Sequence, residues 1–345
     1  MFLTGGPGTK TKNQPTPPRT VSSPAYLSLV LTGRNDDYGG PFVPRFFRVL
    51  AFNLQELTAR QIPVEVRLVE WSPTPGRPLL AERLLETLPS RWHDLVTTYV
   101  VDPQYQEVLS LNPRLRYLEF FAKNVGVRRS TGRFILTTNT DTLLSQRLLD
   151  LLAKDKLVPG RVYRANRIDL KLGLDDSGLT HTILDNPENH VPRRPIRPPL
   201  YAGAAGDFLL SDSDTFQTLR GFNEVYRLAR LGIDHNFLVK ARSSSVPIED
   251  IGAPVYHISH TTSFQVARNI ASPDEATALW GKRDWNQHEV IYHNPENWGL
   301  ADAPELPLND RTIRLRFDWR AVPPLTELRR IVRSGATTPA QADAR

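Results

Sequence analysis

The sequence predicts an α/β protein with a mostly parallel central sheet and helices on both faces. Three observations lead there. Continuous apolar runs of strand length alternate with segments of helical apolar spacing across the first half of the chain. Gly33, Pro78 and Gly132 punctuate that alternation. The 345 residues, 40% of them hydrophobic, are enough for a sizeable core.

In chain order, Tyr26-Leu27-Ser28-Leu29-Val30-Leu31-Thr32 reads as a buried strand ending at Gly33. Phe46, Val49, Leu50, Leu54 and Leu57 recur at helical spacing, which places a helix over 42–60. Val64 to Trp71 is a strand, residues 79–88 a helix that starts after Pro78, and Leu95 to Val101 a third strand. Leu118 to Ser130 reads as a helix and Phe134 to Thr138 as a fourth strand. In sheets of this kind ligands bind beyond the carboxyl ends of the strands. The places to look for chemistry are therefore residues 33–37, 70–72 and 139–141. Further on, residues 185–200 read as a long loop carrying five prolines and Arg193, Arg194 and Arg197. Residues 203–245 return to order, and Val255 to His260 is a short strand or loop.

Composition narrows the function. The net charge of +6, from 43 Lys and Arg against 37 Asp and Glu, suits an anionic small ligand or loose contact with anionic lipid headgroups. It is too mild for nucleic acid, and no nucleic-acid module is visible. The absence of cysteine excludes disulfides, Cys-based zinc sites and thiol catalysis. No apolar stretch reaches the ~18 residues of a membrane span, and Met1 to Pro24 has no signal-peptide core. The default expectation is a soluble cytoplasmic protein, with residues 1–24 a disordered arm and 335–345 a frayed tail.

The most informative stretch runs from Asn124-Val125-Gly126 through Ser130-Thr131-Gly132 to Phe134-Ile135-Leu136-Thr137-Thr138-Asn139-Thr140-Asp141. A helix ends near Gly132, a buried strand follows, and that strand leads into Asn-x-Asp. A carboxylate at the carboxyl edge of a sheet can hold Mg²⁺ or Mn²⁺, hard cations that share oxygens between protein and diphosphate.

Here the chain resembles GT-A-fold glycosyltransferases, especially the family-2-like group, whose corresponding segment ends in Asp-x-Asp or its Asn-x-Asp variant. Other pieces follow in the same order: Tyr26 to Asn35, Val64 to Glu70, Ala202-Gly203-Ala204-Ala205-Gly206-Asp207-Phe208, Arg220-Gly221-Phe222-Asn223-Glu224 and Gly232-Ile233-Asp234. The resemblance covers roughly residues 25–262. It implies a Rossmann-like GT-A core over 25–265, with a nucleotide-binding half (25–142) and an acceptor half (143–265). A C-terminal extension over 266–334 is expected to pack on that core. Two departures stand out: Asn139 replaces the first acid of the metal motif, and Ile233 the first of the acidic pair that supplies a base.

The resemblance also implies roles. Thr32, Gly33, Arg34 and Glu70 flank the base and ribose of a UDP- or GDP-type sugar donor. Asn124, Arg128, Asn139 and Thr140 complete the donor contacts. Asp141 holds Mn²⁺ or Mg²⁺ on the diphosphate, with His257 or His260 joining it. Asp234 deprotonates the hydroxyl of a carbohydrate or other acceptor in an inverting transfer, and Asp207 contacts that acceptor. Plainer readings stand beside these. Asp141 and Asp207 serve as turn acids, and Asp234 caps the helix holding Phe237 and Leu238. The histidines satisfy the core, Glu70 pairs with an arginine, and Arg128 and Arg129 are solvated. The arginines of the proline-rich loop form a lid over diphosphate or a solvated surface. Two other functions remain: a non-catalytic carbohydrate- or nucleotide-binding protein on the same fold, and a nucleotidyltransferase. The latter requires a Gly-rich, Lys-containing loop that Thr32-Gly33-Arg34-Asn35-Asp36 lacks.

Overall fold

The computed structural model describes residues 25–36, 40–113, 115–171, 178–227, 232–258 and 291–322. The arm expected over 1–24, the tail over 335–345 and His260 lie outside these residues.

The first half follows the alternation read from the sequence. It contains β1 (Leu27–Gly33), α1 (Phe42–Ala59), β2 (Val64–Trp71), α2 (Leu80–Thr87) and β3 (Val96–Val101). It continues with α3 (Pro103–Leu109), α4 (Glu119–Arg128) and β4 (Phe134–Thr138). Then come β5 (Thr142–Leu144), α5 (Gln146–Ala153), β6 (Val162–Arg164), β7 (Arg167–Leu170), α6 (His181–Leu184) and β8 (His190–Val191). The chain goes on through β9 (Phe208–Asp212), α7 (Ser213–Leu219), α8 (Ile233–Ser243), β10 (Ile248–Asp250) and β11 (Val255–His257). A last pair, β12 (Glu305–Asn309) and β13 (Thr312–Leu315), lies in the C-terminal region.

Among the described residues, nine strands form one sheet in the order β10-β6-β9-β4-β1-β2-β3-β13-β12. Strands β4, β1, β2, β3 and β13 run parallel, and β9 lies antiparallel against β4. All seven residues of β1 are buried, as expected of a strand covered on both faces. Leu27, Leu29 and Leu31 pack under α1 with Phe46 and Leu50, and Val30 faces Phe120 and Val127 of α4 on the other side. The C-terminal pair β12–β13 extends the same sheet by pairing β13 beside β3, so this part of the expected extension is built into the central sheet. Among the described residues no helix is long and apolar enough to cross a membrane.

A second sheet, β5-β11-β7-β8, lies past the end of β4. Its strands are two to four residues long, which is why periodicity in the sequence does not reveal them. In it β11 runs antiparallel to β5 and parallel to β7, so His257 stands beside Thr142 on one flank and Asp169 on the other.

The two halves of the fold are sewn together behind the sheet. Asn124 of α4 donates to Phe222 O (2.8 Å) and Glu224 Oε1 (2.9 Å) and accepts from Phe222 N (2.7 Å). Asn294 closes the same segment by donating to Arg220 O and Phe222 O and accepting from Glu224 N. Glu224 also accepts from Gly299 N at 2.8 Å. Asn124, Asn294 and Glu224 are all buried, and every polar group named here is paired, as buried polar groups must be. Gly221 sits in the middle at φ +62°, where an added Cβ collides with Asn124 Oδ1 and comes within 2.7 Å of Trp298 Cζ3. Gly221→Ala is therefore expected to cost about 2–3 kcal/mol through left-handed strain and overpacking. A urea melt with a midpoint within error of wild type refutes this.

Candidate active site

The loop after β4 turns at Asn139-Thr140-Asp141 and enters β5. Asp141 stands at the carboxyl edge of the parallel sheet, as the sequence expects. The pairing of β5 with β11 brings His257 to it: His257 Nε2 lies 3.6 Å from Asp141 Oδ2, and Ile258 N donates to Asp141 O at 3.0 Å. On its other side, His257 Nδ1 lies 3.2 Å from Asp169 Oδ1. Burial alone lowers an imidazole pKa. Here the adjacent Asp141 carboxylate, with Asp141 and Asp169 oxygens close to the two ring nitrogens, overcomes burial and raises His257 to about 9. Burial likewise pushes Asp169 up, but hydrogen bonds from His257 and Arg167 win and hold it well below the usual carboxylate range.

Arg167 bridges the cluster. Its Nε reaches Asp169 Oδ1 at 2.6 Å and its Nη1 reaches Asp207 Oδ2 at 2.5 Å. Arg193 of the proline-rich loop pairs with Asp169 Oδ2 at 2.8 Å, so that loop is anchored beside His257. Asp207 Oδ1 accepts from Asn139 Nδ2 at 2.6 Å, and Asn139 Oδ1 accepts from Lys123 Nζ at 2.9 Å. Lys123, fully buried, also bonds Gly206 O at 2.8 Å and pairs with Glu119 at 2.9 Å.

These contacts explain Asn139. The position must accept from an ammonium and donate to a carboxylate at once, and an amide does both. An aspartate there faces Asp207 as a second acceptor, so one of the two acids must take a proton.

Asp234 lies in the first turn of α8, and its Oδ2 accepts from Gly206 N at 2.8 Å. The 201–206 loop is held from below by the buried Arg164, which donates to the carbonyls of Tyr201, Gly203 and Ala205. Asp234 therefore borders the same loop as Asp207, and its side chain remains half-buried.

The structure corrects several expected ligand contacts. Glu70 is completely buried; its Oε2 accepts from Leu80 N at 2.8 Å at the start of α2, and burial raises it to about 8, so it serves that helix rather than a ribose. Asn124 is spent on the clasp behind the sheet. Arg128 closes α4 at the end away from the carboxyl edge and lies over Trp298 at 5.1 Å, while Arg129 holds Gly299 O, Leu300 O and Glu305. Asp207 is 4% exposed, with Oδ1 bonded by Asn139 and Oδ2 by Arg167, so it is turned into the cluster rather than toward an acceptor. Thr32 and Gly33 stand at the carboxyl end of β1 as expected. There the Thr32 hydroxyl accepts a hydrogen bond from Tyr117, and the space above Gly33 is filled by Phe42, 2.8 Å from an added Cβ. Arg34 donates to Arg116 O at 2.7 Å and pairs with Asp36. Thr140 is buried between Asn139 and Asp141.

Arg167, Asp169 and Lys123 are the site residues that sequence reasoning missed. Arg167 and Asp169 sit on a strand of four residues with no motif around it. Lys123 lies one residue before the Asn-x-Gly segment, where a lysine reads as an ordinary helix residue.

Among the described residues no group of three His, Asp or Glu is placed to cage a metal ion. Asp141 and His257 nevertheless fit one whose remaining positions are filled by a ligand: one carboxylate oxygen and one imidazole nitrogen face each other at the sheet edge, a donor set suited to Mn²⁺.

No family model and no curated protein matches this chain. In structure the chain is similar to the catalytic domain of Drosophila β1,4-galactosyltransferase 7 in complex with xylobiose, with a TM-score of 0.42, 12% identity, and coverage of 86% of this chain and 96% of that one. It is similar also to a mutant of that enzyme in complex with manganese, UDP-Gal and xylobiose, with a TM-score of 0.42, 12% identity, and coverage of 86% and 97%.

Two expectations follow from the geometry. Folded His257 holds a proton up to about pH 9 that the unfolded chain releases near pH 6.5. Its stabilising contribution is whole below pH 6.5 and lost as pH rises through 9, on the order of 3 kcal/mol in all. The stability difference between wild type and His257→Gln, taken from urea melts in the absence of divalent ions, should shrink over that window; a difference independent of pH refutes the assignment. Asn139→Asp should destabilise the fold by about 1–3 kcal/mol at pH 8 and recover toward pH 5, because the acid whose pKa is raised binds a proton in the folded state. A variant with an unchanged melting temperature at both pH values contradicts the Lys123–Asn139–Asp207 arrangement.

Proposed function

We propose that this chain is a metal-dependent glycosyltransferase that moves a sugar from a nucleoside diphosphate to a hydroxyl acceptor, with inversion at the anomeric carbon. The observation that carries the reading is the Asp141–His257 pair at the carboxyl edge of the parallel sheet, formed by the β5–β11 pairing. The ordered sequence resemblance to GT-A-fold glycosyltransferases supports it.

Asp141 and His257 are the residues that hold the divalent ion. The ion, when bound, neutralises charge on the departing nucleoside diphosphate. Arg34, at the carboxyl end of β1 beside β4 and paired with Asp36, is the cation assigned to the donor phosphates in this reading. Lys123, Asn139 and Arg167 fix the orientation of Asp207 and thereby the 203–207 loop that faces Asp234. Asp234 is the general base. As the acceptor oxygen bonds to the anomeric carbon, the carbon–oxygen bond to the diphosphate breaks and the acceptor proton passes to the Asp234 carboxylate. The Gly206 amide, bonded to Asp234 Oδ2, fixes the orientation of the carboxylate.

A non-catalytic binding protein is favoured by one observation: Asp207, an acid at the heart of the cluster, is buried and bonded to Asn139 and Arg167. Calorimetry separates the two readings, since binding of UDP or GDP with Mn²⁺ without turnover of any sugar nucleotide supports the binding protein.

The test of catalysis is hydrolysis of UDP- and GDP-sugars with added Mn²⁺. Asp141→Ala is expected to lower the rate at least 100-fold, in keeping with loss of a major electrostatic contribution to the transition state. Equal rates in the two proteins remove Asp141 from the mechanism.

A further inference from the structure

Asp169 has no counterpart among the sequence motifs and is not placed to bind a metal ion itself. Its Oδ1 is shared between Arg167 Nε (2.6 Å) and His257 Nδ1 (3.2 Å), and its Oδ2 is held by Arg193 Nη1 (2.8 Å). A carboxylate clamped by two guanidinium groups has little charge left to offer a cation. It does have a fixed position, because β7 and β11 run parallel with Asp169 directly beside His257.

We infer that Asp169 is a positioning residue for the metal site: it accepts from His257 Nδ1 and so turns Nε2 toward Asp141 as the nitrogen that meets the ion. The inference rests on the reading that Asp141 and His257 hold a divalent cation. An imidazole ligand must be neutral and must aim one particular nitrogen. In the neutral, metal-bound form an acceptor at Nδ1 keeps the single ring proton there and leaves Nε2, 3.6 Å from Asp141 Oδ2, as the nitrogen that meets the ion. Rotating the ring by half a turn puts carbon atoms against both carboxylates and loses both contacts. The two arginines hold the acceptor still, and Arg193 ties this arrangement to the proline-rich loop.

The experiment measures the dissociation constant of Mn²⁺ from the free-ion electron paramagnetic resonance signal, with and without UDP. The proteins are wild type, Asp169→Ala, Asp169→Asn and Asp141→Ala, each checked by thermal melt. Asp169→Ala is expected to weaken Mn²⁺ by 10–100-fold, the range typical of outer-shell partners. Asp169→Asn, which keeps an oxygen opposite Nδ1, should lose less. Folded Asp169→Ala with wild-type affinity overturns the inference, and if Asp141→Ala then abolishes binding the metal reading itself survives. Wild type that binds no Mn²⁺ under either condition overturns both. If Asp169→Ala does not fold, the wild-type protein decides. With Mg²⁺ and UDP bound, the ¹⁵N spectrum of His257 should show its proton on Nδ1, and a proton on Nε2 overturns the inference.

Discussion

The site depends on the register between two three-residue strands. Thr142 of β5 stands opposite His257 of β11, and that pairing sets Asp141 against the imidazole. Side chains alternate across a strand, so a slip of one residue exchanges His257 for its neighbour. That neighbour, Tyr256, packs with Leu143, Leu170 and Leu184 and donates a hydrogen bond from its hydroxyl to Asp185. The small sheet thus has a chemical face and an apolar face, and burying the apolar one secures the register of the other.

Three carboxylates gathered at one sheet edge repel one another, and the structure counters this with a chain of alternating partners. Lys123 faces Asn139, Asn139 faces Asp207, Arg167 joins Asp207 to Asp169, and His257 lies between Asp169 and Asp141. Each acid lies against a cationic or donor group, which fixes its direction. Paired in this way, the charged groups of the cluster hold one another in fixed positions. The substitution of asparagine for the first acid of the metal motif fits this chain, because its amide is a joint between an ammonium and a carboxylate.

Several motif residues proved to hold the fold. Asn124 and Glu224 close the clasp behind the sheet with Asn294 and Gly299, and Glu70 anchors the start of α2. A polar residue next to a strand end looks the same in sequence whether it meets a ligand or an orphan backbone amide. Only its partners tell the two apart, and for these three the partners are backbone amides and carbonyls, with buried side chains alongside. Arg128 is a related case: the helix that carries it is correctly foreseen, yet a residue at its far end is a helix length from the carboxyl edge.

The sequence by itself determined the parallel core and its chemical edge. The runs at 26–32, 64–71 and 134–138 are long and apolar enough to be buried strands, and they put Asp141 past the end of β4 without reference to any distant contact. The chain's local pattern also marked the loop with Asp207 and the helix start with Asp234. What joins those points was decided only in the tertiary structure: the pairing of β5, β7 and β11, the capture of Arg167 and Asp169 by the site, and the insertion of β13 beside β3. Strands of three or four residues carry too few side chains to display a period, and they are stable only when paired with partners remote in the chain. Their register is set by packing against Leu143, Leu170 and Tyr256, an interaction that exists only once the chain has folded.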